Sequence, residues 1–326
     1  MALRSGSRRK FSSLKPVPHF NSLDEITFQN AWLTIGVFDG VHRGHQEIIH
    51  RLTAGAHADE APAVVLTFFP HPAVVLGNKS GFKSLTTPEE RAALIESLGV
   101  DAVITHPFDL ALAAQTAEEF MRRVARTLGL RRLLVGYDFA LGRGREGNVA
   151  RLTELGKTLG YEVRTIPPVT NGQETISSTR IRQQIVAGEV TAAAASLGRC
   201  YALTGAVIHG DGRGKRIDIP TANLEIPAEK VIPANGVYAC WAWMSGKKYP
   251  SVTNVGIRPT FTPEEFVPHV ETHLLDFDRD LYGQEVRLEF VERLREERKF
   301  PSVEALVGQI YTDTRRAREI FRSMLS

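Results

Sequence analysis

The sequence predicts an α/β domain, a parallel sheet with helices on both faces, followed by a small antiparallel β-barrel that ends in a helix. Three observations carry that expectation. Short β-type runs alternate with helical stretches through the first half. After about Gly198 the helical period disappears, and β-type runs follow one another split by Gly, Pro and Asp. From Ser302 onward apolar residues return at helical spacing.

The elements follow in order. Trp32 to Gly36 reads as a strand and Gln46 to Ala54 as a helix. Ala63 to Phe69 is a continuous apolar run, as a strand buried on both faces requires. Pro88 to Leu98 reads as a helix, with Thr87 as N-cap and Gly99 as its stop. Ala102 to Thr105 is a strand, Thr116 to Leu128 a helix, Arg132 to Gly136 a strand, Val149 to Leu159 a helix and Glu162 to Ile166 a strand. The second half offers Tyr201 to His209, Asn235 to Trp243, Tyr249 to Ile257, Val270 to Asp276 and Val286 to Glu292. In the closing helix Val303, Leu306, Val307, Ile310, Ala317, Ile320 and Phe321 form the packed face, and Arg315, Arg316 and Arg318 the solvated one. The expected division is an N-terminal extension over 1–23, poorly ordered, then one domain over 24–190 and a second over 200–326.

Composition excludes several classes. A chain of 326 residues with 43% hydrophobic and 24% charged residues is neither disordered nor coiled coil, and each half can bury a core. Forty basic against 37 acidic residues leave +3, too little for a nucleic-acid binder without a clustered basic face. The two cysteines, Cys200 and Cys240, make neither a disulfide framework nor a zinc site, and a reducing cytoplasm is the expected compartment. No apolar run approaches a membrane span. Met1 to Leu23 lacks acids and carries Arg4, Arg8, Arg9 and Lys10. That stretch suits a frayed extension, a transit peptide or a basic arm.

Four motifs bear on chemistry. Gly36-Val37-Phe38-Asp39-Gly40-Val41-His42-Arg43-Gly44-His45 leaves the first strand and enters the first helix. Ligands of open α/β sheets bind at such a turn, where free helix N–H groups favour phosphate. His42 and His45 share a face and can both donate to phosphoryl oxygens. Ile176-Ser177-Ser178-Thr179-Arg180-Ile181-Arg182 sets hydroxyls at a helix start before two arginines, which suits a triphosphate. Thr67-Phe68-Phe69-Pro70-His71-Pro72 ends a strand in a rigid corner, and Gly136-Tyr137-Asp138-Phe139-Ala140-Leu141-Gly142 follows another.

In this order the four resemble the nucleotidyltransferase domain of bacterial FAD synthetases, whose pattern is G-x-F-D-G-x-H-x-G-H, T-F-x-P-H-P, G-x-D-F-x-F-G and I-S-S-T-x-I-R. One departure is Leu141 in place of Phe, which keeps an apolar wall and loses an aromatic face. The resemblance implies a Rossmann-like domain that adenylylates FMN, the FMN phosphate attacking the α-phosphorus of ATP. It implies that His42 and His45 act in catalysis. Gly36, Phe38, Asp39, Gly44, Ser177, Ser178, Thr179 and Arg182 would bind ATP and its phosphates. Phe69, Pro70, His71, Asp138 and Phe139 would bind the flavin substrate.

The second half has its own set. Gly210 to Arg216 is a glycine-rich basic loop without Walker spacing, a candidate phosphate cradle. Pro220-Thr221-Ala222-Asn223 offers a hydroxyl and an amide whose oxygens could ligate Mg²⁺. Glu271 stands in a strand-like alternation, where a carboxylate could take a hydroxyl proton. With Asn254 to Phe261, Asp280 to Gly283 and Leu294 to Phe300, these stretches resemble riboflavin kinase, the usual second domain of the bifunctional enzymes. That resemblance implies a six-stranded barrel moving the γ-phosphoryl group of ATP to the ribityl hydroxyl. Gly212, Gly214, Lys215, Thr221 and Asn223 would bind ATP, with Thr221 and Asn223 also on the metal. Glu271 would be the base, and Arg258 and Arg295 would lie at the flavin. Asp218 and Ile219 stand where the family has Gly and an aromatic or aliphatic residue. Aspartate tolerates a left-handed turn at a cost on the order of 1 kcal/mol, but it would repel a phosphate.

The two resemblances together imply riboflavin, FMN, FAD and ATP as ligands, Mg²⁺ with ATP, and no tightly bound organic cofactor beyond those flavins. No membrane or nucleic-acid partner is expected, and self-association is expected to be weak or transient. Other readings are a chain in which only the adenylyltransferase is active, or a flavin-binding regulator. His42, His45, Asn223 and Glu271 argue against the regulator, since a pure binder does not need them.

Overall fold

The computed structural model describes residues 17–77, 81–172, 174–209, 219–259 and 266–324, with side chains omitted at 257–259 and 266–268. The chain forms two compact units. One holds the described residues up to Gly36, with Ile49–Pro70 and Ala92–Thr165; the other holds Val37–Ile48, His71–Arg91 and the chain from Ile166 onward.

The first unit is a six-stranded parallel sheet in the order His19–Phe20, Ala102–Pro107, Ala63–Phe69, Trp32–Ile35, Arg132–Gly136, Glu162–Ile166. Trp32–Ile35 has later strands on both sides, so the strand order reverses there and the carboxyl end of this strand is the switch point. All four of its residues are buried, as are Ala63 to Thr67, which explains their unbroken apolar character. The helix Ala117–Leu128 starts on a reciprocal bond between Thr116 and Glu119 and buries Phe120, Met121 and Val124 on the sheet core.

Two elements depart from the sequence pattern here. His19–Phe20 falls in the stretch assigned to the extension, yet it pairs with Val103 and Ile104, and Leu23 beside it is fully buried. A two-residue edge strand is too short to show a period. The first helix begins inside the histidine motif, at Arg43, and runs to Ala58.

In the second unit, six antiparallel strands close a barrel in the order Tyr201–Ile208, Ala222–Glu225, Phe266–Leu274, Lys247–Pro259, Gly236–Met244, Glu285–Arg295. Ala222–Glu225 is missing from the sequence reading because a proline corner leaves it only four residues. The barrel interior, with Leu203, Tyr238, Cys240, Leu288 and Phe290, is continuous with the helices Ser178–Val186 and Val190–Leu197 through Ile181, Ile185, Val190 and Leu197. The closing helix Val303–Ser323 packs its C-terminal half, Ala317 and Phe321, on Trp241 and Leu294. Its first turn does not pack; Val303 is exposed. Arg316 and Arg318 pair with Glu292 and Asp276 at the surface.

An ion pair with a buried cation lies inside this unit. Lys230, 2% exposed, donates to the Leu85 carbonyl at 2.7 Å and to Glu90 Oε2 at 2.6 Å, while the Thr204 hydroxyl donates to Glu90 Oε1 at 3.2 Å. Lys230→Met removes the cation and leaves a half-buried carboxylate unpaired, so stability should fall by about 3 kcal/mol, read as a lower urea midpoint. Adding Glu90→Gln should recover part of that loss.

Candidate active sites

The turn from Val37 to His42 is built against the preferences of its own residues. Phe38, Gly40 and Val41 have φ of 51°, 80° and 41°. For a β-branched valine and a phenylalanine that region costs about 1–3 kcal/mol each, so neighbouring bonds must hold it. Asp39, 2% exposed, accepts from the N–H groups of Leu85 at 2.9 Å and Thr86 at 3.2 Å, and from Arg182 Nη2 at 3.1 Å. The Thr86 hydroxyl accepts from Gly40 N, the Ser178 hydroxyl donates to the Asp39 carbonyl, and Gln46 donates to the Val41 carbonyl. Two segments distant in sequence, Leu85–Thr86 and Ser178–Arg182, therefore converge on one strained turn.

What the turn presents is a pair of histidines. The rings of His42 and His45 stack with centroids 3.6 Å apart, and the Phe38 ring meets His45 edge-on at 5.1 Å. Gly44 makes room for the stack, because a Cβ there would lie 3.1 Å from His42 Cε1. His42 Nδ1 accepts the His45 N–H at 3.4 Å, which leaves Nε2 as its proton-bearing nitrogen. His45 Nδ1 is buried with no partner among the described residues. Burial pulls His42 down to about 4, Asp39 opposing and Arg199 adding to the shift; burial, His42 and Arg91 hold His45 well below the ordinary histidine range. Both rings are neutral donors at neutral pH.

That depression has a consequence for stability. The unfolded imidazole takes a proton near 6.5 and the folded His42 only near 4, so its contribution is complete above about pH 6.5 and is lost as pH falls toward 4. The loss should be about 3 kcal/mol, seen as a falling melting temperature across that window. His42→Gln should flatten this part of the profile.

Several of the site candidates also have partners within the protein. Asp39 and Phe38, expected at ATP, are buried and hold the turn and the His45 ring. Ser177 caps the helix Ser178–Val186 through the Arg180 N–H, and Arg182 lies over the Phe82 ring at 4.6 Å as well as on Asp39. Thr179 is exposed in the first turn of that helix. Gly36 N donates to the Leu66 carbonyl in the sheet.

Of the flavin candidates, Phe69, Pro70, Asp138 and Phe139 belong to the sheet unit and His71 to the other. Phe69 is 45% exposed and joins Pro70 by a cis peptide bond. Asp138 is exposed, whereas Phe139 and Leu141 pack on the sheet core. The replacement of Phe by Leu at 141 thus falls on a packing position. His71 caps the short helix Pro72–Val75, its ring 4.2 Å from Phe82.

At the barrel rim the expected groups do meet. Asn223 and Glu271 are direct partners across antiparallel strands, and the Thr221 hydroxyl donates to Glu271 Oε1. His269 Nε2 lies 3.4 Å from Glu271 Oε2. Asn223 is 7% exposed and its Oδ1 is buried without a partner among the described residues. An orphaned amide oxygen beside a hydroxyl is a hard donor set that fits Mg²⁺, which keeps waters and substrate phosphates for its other positions. No group of three or more His, Cys, Asp or Glu among the described residues forms a metal cage. A cavity of about 430 Å³ is lined by Ile219, His273, Leu275, Ile310, Tyr311 and Arg315, and His273 Nδ1 bonds the Pro220 carbonyl at 2.8 Å. Arg295 is bound to Asp313 of the closing helix at 2.9 Å, a partner the sequence reading missed. Gly212, Gly214, Lys215 and Asp218, and the Arg258 side chain, lie outside the described residues.

A strained turn that presents two stacked histidines after the switch strand of a parallel sheet, and a barrel rim that sets a carboxylate beside hard oxygen donors, are the two sites of a nucleotide-using transferase. The chain belongs to the bifunctional riboflavin kinase/FMN adenylyltransferase family: a model described as FAD synthetase matches residues 24–180, and one described as riboflavin kinase matches 197–321. Proteins of that name from Listeria monocytogenes and Escherichia coli K12 are each 34% identical over 94% of this chain, covering 97% and 98% of their own lengths. A crystal structure from Streptococcus pneumoniae, described as a macrolide-efflux protein, has a TM-score of 0.85 at 32% identity, covering 92% of this chain and 98% of its own. Among the described residues no helix is long and apolar enough to cross a membrane.

Proposed function

We propose that the chain phosphorylates riboflavin with ATP to FMN and then adenylylates FMN with a second ATP to FAD. The observation that carries this is the survival of both chemical sets in one chain: the stacked neutral histidines of the strained turn, and Glu271 paired with Thr221 opposite Asn223.

In adenylyl transfer an FMN phosphate oxygen bonds to the α-phosphorus of ATP as the bond to the departing pyrophosphate breaks. The nucleophile is the substrate's own, so the protein contributes position and charge. His42 and His45 would donate to phosphoryl oxygens, supported by Thr179, Arg182 and free N–H groups of the two helix starts. Gly36, Phe38, Asp39, Gly44, Ser177 and Ser178 would shape the turn around the triphosphate. Phe69, Pro70, His71, Asp138 and Phe139 would meet the flavin nucleotide.

In phosphoryl transfer Glu271 would take the proton of the ribityl hydroxyl as its oxygen bonds to the γ-phosphorus and ADP departs. Thr221 and Asn223 would hold Mg²⁺, which neutralises phosphate charge when bound. Gly212, Gly214 and Lys215 would take ATP phosphates, and Arg258 and Arg295 would border the flavin. The division of labour follows residues 24–190 and 200–326. This reading assigns the chain to the cytoplasm, with no membrane or nucleic-acid partner and at most weak self-association.

The test is incubation of the purified chain with riboflavin, ATP and MgCl₂, with the flavins separated by chromatography. FAD is the expected product, and chelation of the metal by EDTA should stop its formation. Riboflavin left unchanged at full metal would overturn the kinase assignment, and FMN accumulating without FAD the adenylyltransferase one.

A further inference from the structure

We infer that Arg199 is a positioning residue for adenylyl transfer, although it stands at the entrance to the barrel that carries the kinase chemistry. The inference rests on the function proposed above and adds a residue to one of its two sites. Arg199 lies between the helix Val190–Leu197 and the strand Tyr201–Ile208, within the stretch matched as riboflavin kinase.

Its guanidinium reaches 159 positions back in the chain: Nη2 donates to the Gly40 carbonyl at 2.7 Å, and Nη1 to the Val41 carbonyl at 3.2 Å and the Leu197 carbonyl at 3.3 Å. Gly40 and Val41 are the residues whose φ of 80° and 41° bend the chain into the histidine pair. A carbonyl's direction fixes the peptide plane that follows it, so holding these two oxygens fixes the planes leading into Val41 and His42. The other donors to the turn are Arg91 on the Val37 carbonyl at 2.9 Å, Arg182 on the Asp39 carboxylate, Ser178 on the Asp39 carbonyl, and Gln46 on the Val41 carbonyl at 2.8 Å with a second bond to Leu197. Arg199 alone among these donors bridges adjacent carbonyls of the turn with one planar cation, a two-point hold that lysine cannot copy.

Without it, the left-handed residues can relax and carry the His42 and His45 rings off the reacting phosphates. In a reaction catalysed by position, a displacement of about 1 Å costs on the order of a hundredfold. The bonds of Arg199 go to the turn and to Leu197, and none goes to Thr221, Asn223 or Glu271. Phosphorylation of riboflavin should therefore be indifferent to it.

The experiment uses the full chain with MgCl₂ and two separate assays, riboflavin to FMN and FMN to FAD. Arg199→Met should lower kcat for FAD formation on the order of a hundredfold, and Arg199→Lys about tenfold. Riboflavin phosphorylation should stay within about twofold of wild type in both, which a general loss of structure would not allow. FAD formation at the wild-type rate in folded Arg199→Met overturns the inference, as does a parallel fall of both activities. Should the methionine variant not fold, Arg199→Lys decides by the same two outcomes. A wild-type chain that converts no FMN to FAD would refute the adenylyltransferase reading itself, which distinguishes the two failures.

Discussion

Glu271→Gln should stop FMN formation and leave the conversion of FMN to FAD running. Glutamine is isosteric, and its Oε1 can still accept the Thr221 hydroxyl that bonds the carboxylate now. The strand register that sets residue 271 opposite Asn223 and Asn254 depends on main-chain bonds and is untouched. What disappears is the proton acceptor, worth roughly 10²–10⁴ in rate for a positioned general base. The measurement is FMN produced from riboflavin under saturating ATP, with FAD produced from added FMN as the internal control of folding. A glutamine variant that phosphorylates riboflavin within a few-fold of wild type would remove Glu271 from the base role.

The reverse result is expected at the other site. His45→Ala should cut adenylylation of FMN by roughly 10²–10³, the usual consequence of losing one preorganised donor to developing charge, and spare riboflavin phosphorylation. The effect has two parts, because the ring also supports its neighbour. Deleting it removes the 3.6 Å stack that orients His42 and the edge contact with Phe38. His45→Gln keeps a donor without the stack, so a partial recovery there would separate donation from orientation. Loss of both activities in a folded His45→Ala protein would defeat the two-site division.

Much of this was legible in the sequence where burial is two-sided or caps are strong. The strands Ala63–Phe69 and Arg132–Gly136 have the limits their apolar runs suggest, and the helix Val149–Leu159 sits between the Asn148 cap and Gly160. The rim set Thr221, Asn223 and Glu271 was likewise readable, because each carries a functional group that its strand position does not need. Asp39 reads in the sequence as a ligand contact, and the structure adds its bonds to Leu85, Thr86 and Arg182 within the turn. A carboxylate repels phosphate, and that was the available signal that it serves the turn. Asp313, one acid ahead of the basic run Arg315, Arg316 and Arg318, was a similar clue to the partner of Arg295. Lys230 and Arg199 left no local trace. Their partners lie 140 and 159 positions away, and a single basic residue outside a motif carries no period, no spacing and no companion by which to notice it.

The path of the chain through the two compact units limits how it can be taken apart. Val37–Ile48 and His71–Arg91 fold with residues after Ile166, not with the strands that flank them in the sequence. No single break in the gene therefore yields one whole unit and one remainder. A fragment ending before the barrel would keep both histidines and lose Arg199 and Lys230, while a circular permutant opened at an exposed loop would keep every segment. For such a protein, connectivity and modularity are separate properties: two chemistries that need not share a catalytic atom are inherited as one piece.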